Sequence, residues 1–182
     1  MASELDPASV SVRRSLAHGY YYARRYDQAV YHVERAIALD PTAAESHRLL
    51  GLFLAEQGQL EEAERVLRDG LALPGAGIYP LATLAYVMGR AGRRDEARGI
   101  LTRLEEDARH GYVSPVAFGM IHLGLGDRDR VFEMLERAYA ERRGWLAYLT
   151  VNPLLDPVRD DPRFQPLVER MGLDRQAMKA SV

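Results

Sequence analysis

LLGLFLAEQGQLEEAERVLRDGLALPG, residues 49 to 75, is the stretch that decides the fold. On both sides of the polar run Gln57-Gly58-Gln59, apolar residues recur every three or four positions, which is the period of an amphipathic helix. Pro74 and Gly75 end the second run, because both residue types interrupt helices. The stretch therefore predicts two helices that fold back on each other as a hairpin.

The same pattern returns along the chain with a spacing of 34 residues and without an insertion. The recurring small and apolar positions are Ala29, Ala63, Ala97 and Val131, and the pairs Leu16-Ala17, Leu50-Gly51, Leu84-Ala85 and Phe118-Gly119. Four copies in one register predict four helical hairpins, at about residues 10–41, 42–75, 78–110 and 112–143.

This register resembles the tetratricopeptide repeat family, which places its small and apolar packing residues at these positions. The resemblance covers about residues 10–143, although Arg13, His47, Leu81 and Pro115 stand where the family usually has an aromatic residue. It implies an all-α fold, a right-handed α-α superhelix (solenoid) of four hairpins followed by C-terminal capping helices. We expect residues 1–182 to form a single domain with a capping segment at 144–182.

The segment after the repeats is interrupted by prolines, so short turns and one last helix are expected there. Its residues DPVRDDPRF and RMGL are similar to the closing segment that follows the repeats of many bacterial signalling proteins. That resemblance implies a regulatory part of such a protein. A last hairpin also needs its exposed apolar side covered. The expected covering residues are Trp145, Leu149, Leu154, Leu155, Phe164 and Leu167.

Near the N-terminus, Leu5-Asp6-Pro7 recurs as Leu39-Asp40-Pro41, again 34 residues later. The sequence therefore begins at a repeat boundary. Two explanations fit: a natural helix-start signal, or a segment cut from a longer protein.

Composition restricts the class of protein. Lys and Arg number 24 and Asp and Glu 26, a net charge of −2, so the chain lacks the uniform positive charge with which proteins neutralise nucleic-acid phosphates. Zero cysteines exclude disulfides and thiolate ligands. No apolar run approaches the roughly 20 residues of a membrane span. We expect a soluble, cytoplasmic protein that binds neither nucleic acid nor membrane.

Motifs for catalysis or cofactor binding are absent from the sequence. There is no HExxH, no GxSxG and no phosphate-binding loop, and the histidines at 18, 32, 47, 110 and 122 include no i, i+4 pair. Gly75-x-Gly77 and Gly124-x-Gly126 are interpreted as turns. His122 stands where the repeat prefers a large residue, and we favour a hydrogen-bonded core or interface histidine. We expect no enzyme activity, no catalytic or metal-binding residues and no cofactor.

The family resemblance implies that the first helix of each repeat lines a concave groove. Carried over by the register, the candidate partner-binding residues are Arg14, His18, Tyr21, Tyr22, Arg48, Leu52, Tyr79, Tyr86 and Arg90. Arginines hold carboxylates and tyrosines contact apolar side chains at interfaces. The expected function is therefore a protein-protein interaction module that binds a partner peptide or protein carrying a carboxylate.

Three alternatives stay open. The tyrosines could pack between repeats, and the C-terminal helix could cover the apolar fourth-repeat groove, which is the explanation we favour for that repeat alone. The chain could instead be a self-associating, homodimeric scaffold. Least favoured is a small-molecule-binding or catalytic protein that uses His18, Tyr21 and Tyr22.

Overall fold

The computed structural model describes residues 9–173, and every regular element in that range is helical. This confirms the predicted fold class, an all-α helical-repeat solenoid. The Leu5-Asp6-Pro7 copy and the last part of the predicted capping segment lie outside the described residues.

Eight of the helices come in consecutive pairs, joined by turns of two or three residues. Their bounds are α1 Val10–Tyr22, α2 Tyr26–Leu39, α3 Ala44–Glu56, α4 Leu60–Leu71, α5 Ile78–Arg90, α6 Arg94–His110, α7 Pro115–Leu125 and α8 Arg128–Ala140. Within each pair the two helices pack on each other, and the second helix of each of the first three pairs packs on the first helix of the next pair. The first helices α3 and α5, and α5 and α7, also pack on each other. Ala29, Ala63 and Ala97, which have no exposed surface, let the paired helices approach closely.

Each hairpin turn contains one residue with a left-handed backbone, and these four residues follow the 34-residue register. Gly58, Gly92 and Gly126 have φ of 82°, 81° and 71°, and Arg24 has φ of 59°. Glycine adopts this conformation without steric cost, whereas a residue with a Cβ atom does not. The first hairpin therefore carries strain that the other three avoid.

Helices α5 and α7 cross in backbone contact. A Cβ atom added to Gly124 would lie 2.5 Å from the carbonyl oxygen of Tyr86, and one added to Gly89 would lie 2.5 Å from the carbonyl carbon of Gly124. The interpretation of Gly124 as a turn residue was wrong, because α7 continues to Leu125 and Gly126 ends it. Gly124 is instead needed where the two helices touch.

Residues 144–173, which we call the tail, pack against the repeats. Two 3-10 segments, Gly144–Tyr148 and Pro153–Val158, precede the short helix α9, Phe164–Arg170. Proline cannot donate the hydrogen bonds of a longer helix, which accounts for the short segments. The tail and the last hairpin form one hydrophobic cluster, made of Val116, Val131, Phe132, Leu135, Ala138, Leu146, Leu149, Leu155, Val158, Phe164, Leu167 and Val168.

Candidate interaction surface

The tail lies on the side of the first helices where the sequence predicts the groove. At the fourth hairpin, Trp145 and Leu155 contact Val116 and Leu123 of α7. At the first hairpin, the Tyr21 hydroxyl donates a hydrogen bond of 3.2 Å to Oδ1 of Asn152. The groove is therefore partly filled by the protein's own chain.

A pair of arginines holds the tail at the turn of the first hairpin. Arg24 donates to both carboxylate oxygens of Asp156, at 2.5 and 2.9 Å, and Arg159 donates to Oδ1 of Asp156 at 2.6 Å. Arg159 also donates to the carbonyl of Asn152 at 2.9 Å. Partial burial acts to raise the pKa of Asp156, but the hydrogen bonds from Arg24 and Arg159 outweigh it and hold that pKa below its usual value. Asp156 is thus a carboxylate bound at the edge of the predicted groove.

Three of the predicted partner-binding side chains are not on an open surface. Tyr21, Leu52 and Tyr86 are 1%, 6% and 3% exposed and belong to the main hydrophobic core. Tyr79 is partly buried between that core and the tail cluster. At these positions neighbouring helices and the tail leave little side-chain surface open to a partner.

Arg90 already binds a carboxylate of its own chain. Tyr86 donates to Oε1 of Glu56 at 2.6 Å, and Arg90 donates to the same oxygen and to the Tyr86 hydroxyl oxygen, both at 3.0 Å. Burial, followed by the charge of Glu56, raises the pKa of Tyr86, so its hydroxyl remains a hydrogen-bond donor. The site that was predicted to hold a partner's carboxylate is satisfied internally.

Arg48 is also paired with a carboxylate of its own chain, whereas Arg14 makes no ion pair with a described residue. Arg48 binds Glu45 through two hydrogen bonds, of 2.6 and 2.8 Å, with little of its side chain exposed. Arg14, one turn before His18 on α1, makes no ion pair within residues 9–173. Of the three arginines, Arg14 is therefore the one without an ion pair among the described residues.

Aromatic rings continue the surface beside Arg14. His18 stacks on Tyr22 with 5.9 Å between ring centroids, and Tyr22 stacks on Tyr148 of the tail at 4.8 Å. Tyr148 is 45% exposed, so the stack ends at the surface. We call this surface the N-terminal patch; its residues are Arg14, His18, Tyr22, Glu45, Arg48 and Tyr148.

The patch is uncharged at its aromatic centre. Burial, and secondly the charge of Arg48, lowers the pKa of His18, which keeps its imidazole neutral near pH 7. Burial and the neighbouring Tyr148 raise the pKa of Tyr22 to about 12. The patch thus combines neutral rings with the guanidinium of Arg14, which makes no ion pair with a described residue.

The tail contacts at Arg24 and Asn152 were missed by the sequence reasoning. One signal was available, since position 24 carries arginine where the register places Gly58, Gly92 and Gly126. A departure from glycine at a left-handed turn indicates that the side chain has a role of its own.

The fold and the repeated hairpins define a helical-repeat protein, a class whose members bind other proteins. Residues 20–73, from the end of α1 through α4, match the family model described as tetratricopeptide repeat. The match supports a tetratricopeptide repeat family, as the sequence resemblance implies. No curated protein matches the chain.

Membrane-spanning helices and clusters of metal-binding side chains are both absent from the part of the chain that the structure describes. No helix there is long and apolar enough to cross a membrane. Nor does any group of three or more His, Asp or Glu side chains there come together to hold a metal ion.

Proposed function

We propose that this chain is a protein-protein interaction module that binds a carboxylate-bearing peptide segment of a partner at the N-terminal patch. The observation that carries the proposal is the pairing of the arginines. Arg48 and Arg90 hold carboxylates of their own chain, whereas Arg14 makes no ion pair with a described residue and lies next to His18, at the end of the aromatic stack opposite Tyr148. A carboxylate accepts a strong hydrogen bond from an arginine, and the rings of Tyr22 and Tyr148 offer apolar contact area to a neighbouring side chain.

The covered positions restrict the size of this surface. With Tyr21, Leu52 and Tyr86 buried and the tail across the fourth hairpin, the partner segment contacts mainly the first two hairpins. Binding is then local, so we expect a short segment rather than an extended tail that spans all four repeats.

The proposal includes the wider setting of the chain. The likeness of residues 156–164 and 170–173 to the closing segments of bacterial signalling proteins supports a regulatory part of such a protein, with four repeats and the tail as one domain. The lack of cysteines supports a reducing, cytoplasmic compartment. No enzyme activity and no cofactor are part of the proposal.

Peptide display provides the test. A random peptide library is selected on the whole chain, and the affinity of enriched peptides is measured by fluorescence anisotropy. We expect peptides with a carboxylate next to an apolar residue, and a loss of about tenfold or more in affinity for Arg14→Ala, since one charge-assisted hydrogen bond contributes about 1.5–3 kcal/mol.

The matched control is Arg103→Ala, at an exposed arginine of α6 that makes no ion pair with a described residue. Its affinity for the selected peptides should equal that of the unchanged chain. Peptides that bind Arg14→Ala as tightly as the unchanged chain would show that the N-terminal patch is not the site.

Self-association is the second candidate function. Tyr31 and Leu39 are large apolar side chains that lie half-exposed on α2, the second helix of the first hairpin. Exposed apolar surface at the end of a repeat stack favours contact with a second copy. Light scattering over a hundredfold range of concentration should then show a dimer that Tyr31→Glu dissociates, whereas a constant monomer mass excludes this candidate.

A further inference from the structure

Open clefts lie between consecutive second helices, on the side away from the tail. Three of them, with volumes of about 460, 460 and 390 Å³, separate α2 from α4, α4 from α6 and α6 from α8. Their lining follows the 34-residue register, so they are equivalent sites on successive repeats. The floor residues are Leu50 and Leu54 in the first cleft, Leu84 and Met88 in the second, and Phe118 and His122 in the third.

The third cleft differs from the second at several equivalent positions, and at two of them a polar side chain replaces leucine or methionine. His122 stands in the place of Met88, and Glu105 stands in the place of Leu71. Both changes put a polar group beside an apolar surface made by Leu101, Phe118 and Met134. We call this third cleft the histidine cleft; its residues are Leu101, Glu105, Ala108, Phe118, His122, Arg130, Glu133, Met134 and Arg137.

His122 is buried without a complete set of hydrogen bonds. It is 8% exposed, and its Nδ1 has no hydrogen-bond partner among the residues that the structure describes. The nearest carboxylate oxygen, Oδ2 of Asp127, lies 4.0 Å away. His122 is therefore buried in the core as expected, but the expected hydrogen bonding is wrong for its Nδ1. A buried polar atom without a hydrogen-bond partner costs free energy.

The imidazole of His122 offers a hydrogen-bond acceptor. Burial lowers its pKa, so the ring is neutral near pH 7. In a neutral ring one nitrogen carries the proton and the other accepts. With the proton on Nδ1, on the side of the Asp127 carboxylate, Nε2 is the acceptor.

The charges around the cleft leave one carboxylate unmatched. Arg130 binds Glu133 at 2.5 Å, and Arg137 binds Glu141 at 2.9 Å, so both arginines are neutralised by their own helix. Glu105 makes no ion pair with any described residue. The cleft therefore offers a hydrogen-bond acceptor, Nε2 of His122, and the Glu105 carboxylate, which has no ion pair among the described residues. These two groups beside apolar side chains favour a ligand with hydrogen-bond donors and a positive charge.

We propose that the histidine cleft binds a small organic cation, a protonated primary amine on an aromatic or branched apolar body. The ammonium donates to the Glu105 carboxylate and to Nε2 of His122, and the apolar body lies on Leu101, Phe118 and Met134. The volume of about 390 Å³ lies within the range of small-molecule sites, about 300–1,000 Å³.

The test is an NMR titration of the whole chain with three probes of the same shape. Phenethylamine carries the cation, 2-phenylethanol is neutral and 3-phenylpropanoate is an anion. With phenethylamine we expect saturable shifts of the Met134 methyl and the His122 ring signals, at least tenfold weaker binding of the alcohol, and no binding of the anion. Met88, in the equivalent second cleft, is the internal control and should not shift.

Two variants assign the interaction to its residues. Glu105→Gln should weaken phenethylamine binding at least tenfold, and His122→Met should do the same while it keeps the fold, because Met88 already occupies the equivalent position. Glu106→Gln, beside Glu105 but paired with Arg109, is the matched control and should bind like the unchanged chain. Thermal unfolding verifies that each variant is folded.

Three results would overturn the proposal: equal affinity for all three probes, equal shifts at Met88 and Met134, or full binding by both folded variants. None of these bears on the N-terminal patch, since the peptides selected there should bind Glu105→Gln and the unchanged chain equally. The two proposals therefore succeed or fail separately.

Discussion

Tyr21 and Asn152 lie 131 residues apart in sequence and share a buried hydrogen bond, in which the tyrosine hydroxyl donates to the amide oxygen at 3.2 Å. The same oxygen accepts from the backbone nitrogen of Leu154 at 3.1 Å, so Asn152 fixes both the first helix and the next turn of the tail. The tail thus does more than cover the apolar side of the last hairpin. It connects the first hairpin to the fourth across the inner side of the repeats.

The first prediction concerns this hydrogen bond. Tyr21→Phe should lower the free energy of unfolding by about 1 kcal/mol, and Asn152→Ala by about 1–3 kcal/mol because it leaves the Tyr21 hydroxyl buried without a partner. Urea denaturation of both variants and the double variant should give a coupling of at least about 0.5 kcal/mol. Tyr20→Phe is the control and should change little. If the losses of unfolding free energy in the two single variants simply added up in the double variant, the hydrogen bond between Tyr21 and Asn152 would contribute nothing in solution.

The second prediction uses the strained turn at Arg24. Arg24→Ala keeps a Cβ atom at φ of 59° and removes the ion pair with Asp156, whereas Arg24→Gly removes the pair and the strain together. Because alanine is disfavoured at positive φ, the glycine variant should be more stable than the alanine variant by about 1 kcal/mol. Thermal and urea unfolding measure the difference. An alanine variant as stable as the glycine variant would contradict a left-handed turn at this position.

The third prediction concerns the contact between α5 and α7. Gly124→Ala should lower the free energy of unfolding by about 1–3 kcal/mol, because its Cβ atom would meet the backbone of Tyr86 at 2.5 Å. Gly99→Ala is the matched control: it changes a glycine inside α6 that has nothing within 4 Å, and it should gain about 0.5–1 kcal/mol. Denaturation midpoints of the two variants should therefore move in opposite directions. Movement in the same direction would rule out close packing at Gly124.

The hairpins could be predicted from the sequence because they depend on local patterns. The helix period and the 34-residue register locate the paired helices, and Ala63 and its equivalents lie in the core as expected. The register could also have shown that Glu56 and Arg90, exactly 34 residues apart, face each other on adjacent first helices. An ion pair within one chain can thus be predicted from the sequence when both partners lie on repeated elements.

The tail could not be predicted in the same way. Prolines at 153, 157, 162 and 166 remove any helical period, so nothing in the segment shows that Asn152 reaches α1 rather than the adjacent hairpin. Contacts over such a separation depend on the curvature of the whole repeat stack. The partner-binding roles of Arg14, His18, Tyr22, Tyr79 and the other candidate residues stay predictions.

The last prediction concerns pH. Burial lowers the pKa of His122 and of His18 from the ordinary value of 6.5, so below that pH the unfolded chain binds protons that the folded chain does not. The stability that depends on these neutral rings is present above pH 6.5 and is lost as the pH falls below it. The free energy of unfolding should therefore decrease between pH 7.5 and pH 5.5, by at most about 1.4 kcal/mol per pH unit for each proton.

His122→Met isolates one contribution to this pH dependence, since it removes the titrating ring and keeps an apolar side chain at that position. Its free energy of unfolding should fall less steeply from pH 7.5 to pH 5.5 than that of the unchanged chain. Carboxylates with a lowered pKa, Glu45 and Asp156 among them, titrate at lower pH and do not contribute in this range. If His122→Met kept the full slope, His122 would not be the buried neutral ring on which the histidine cleft depends.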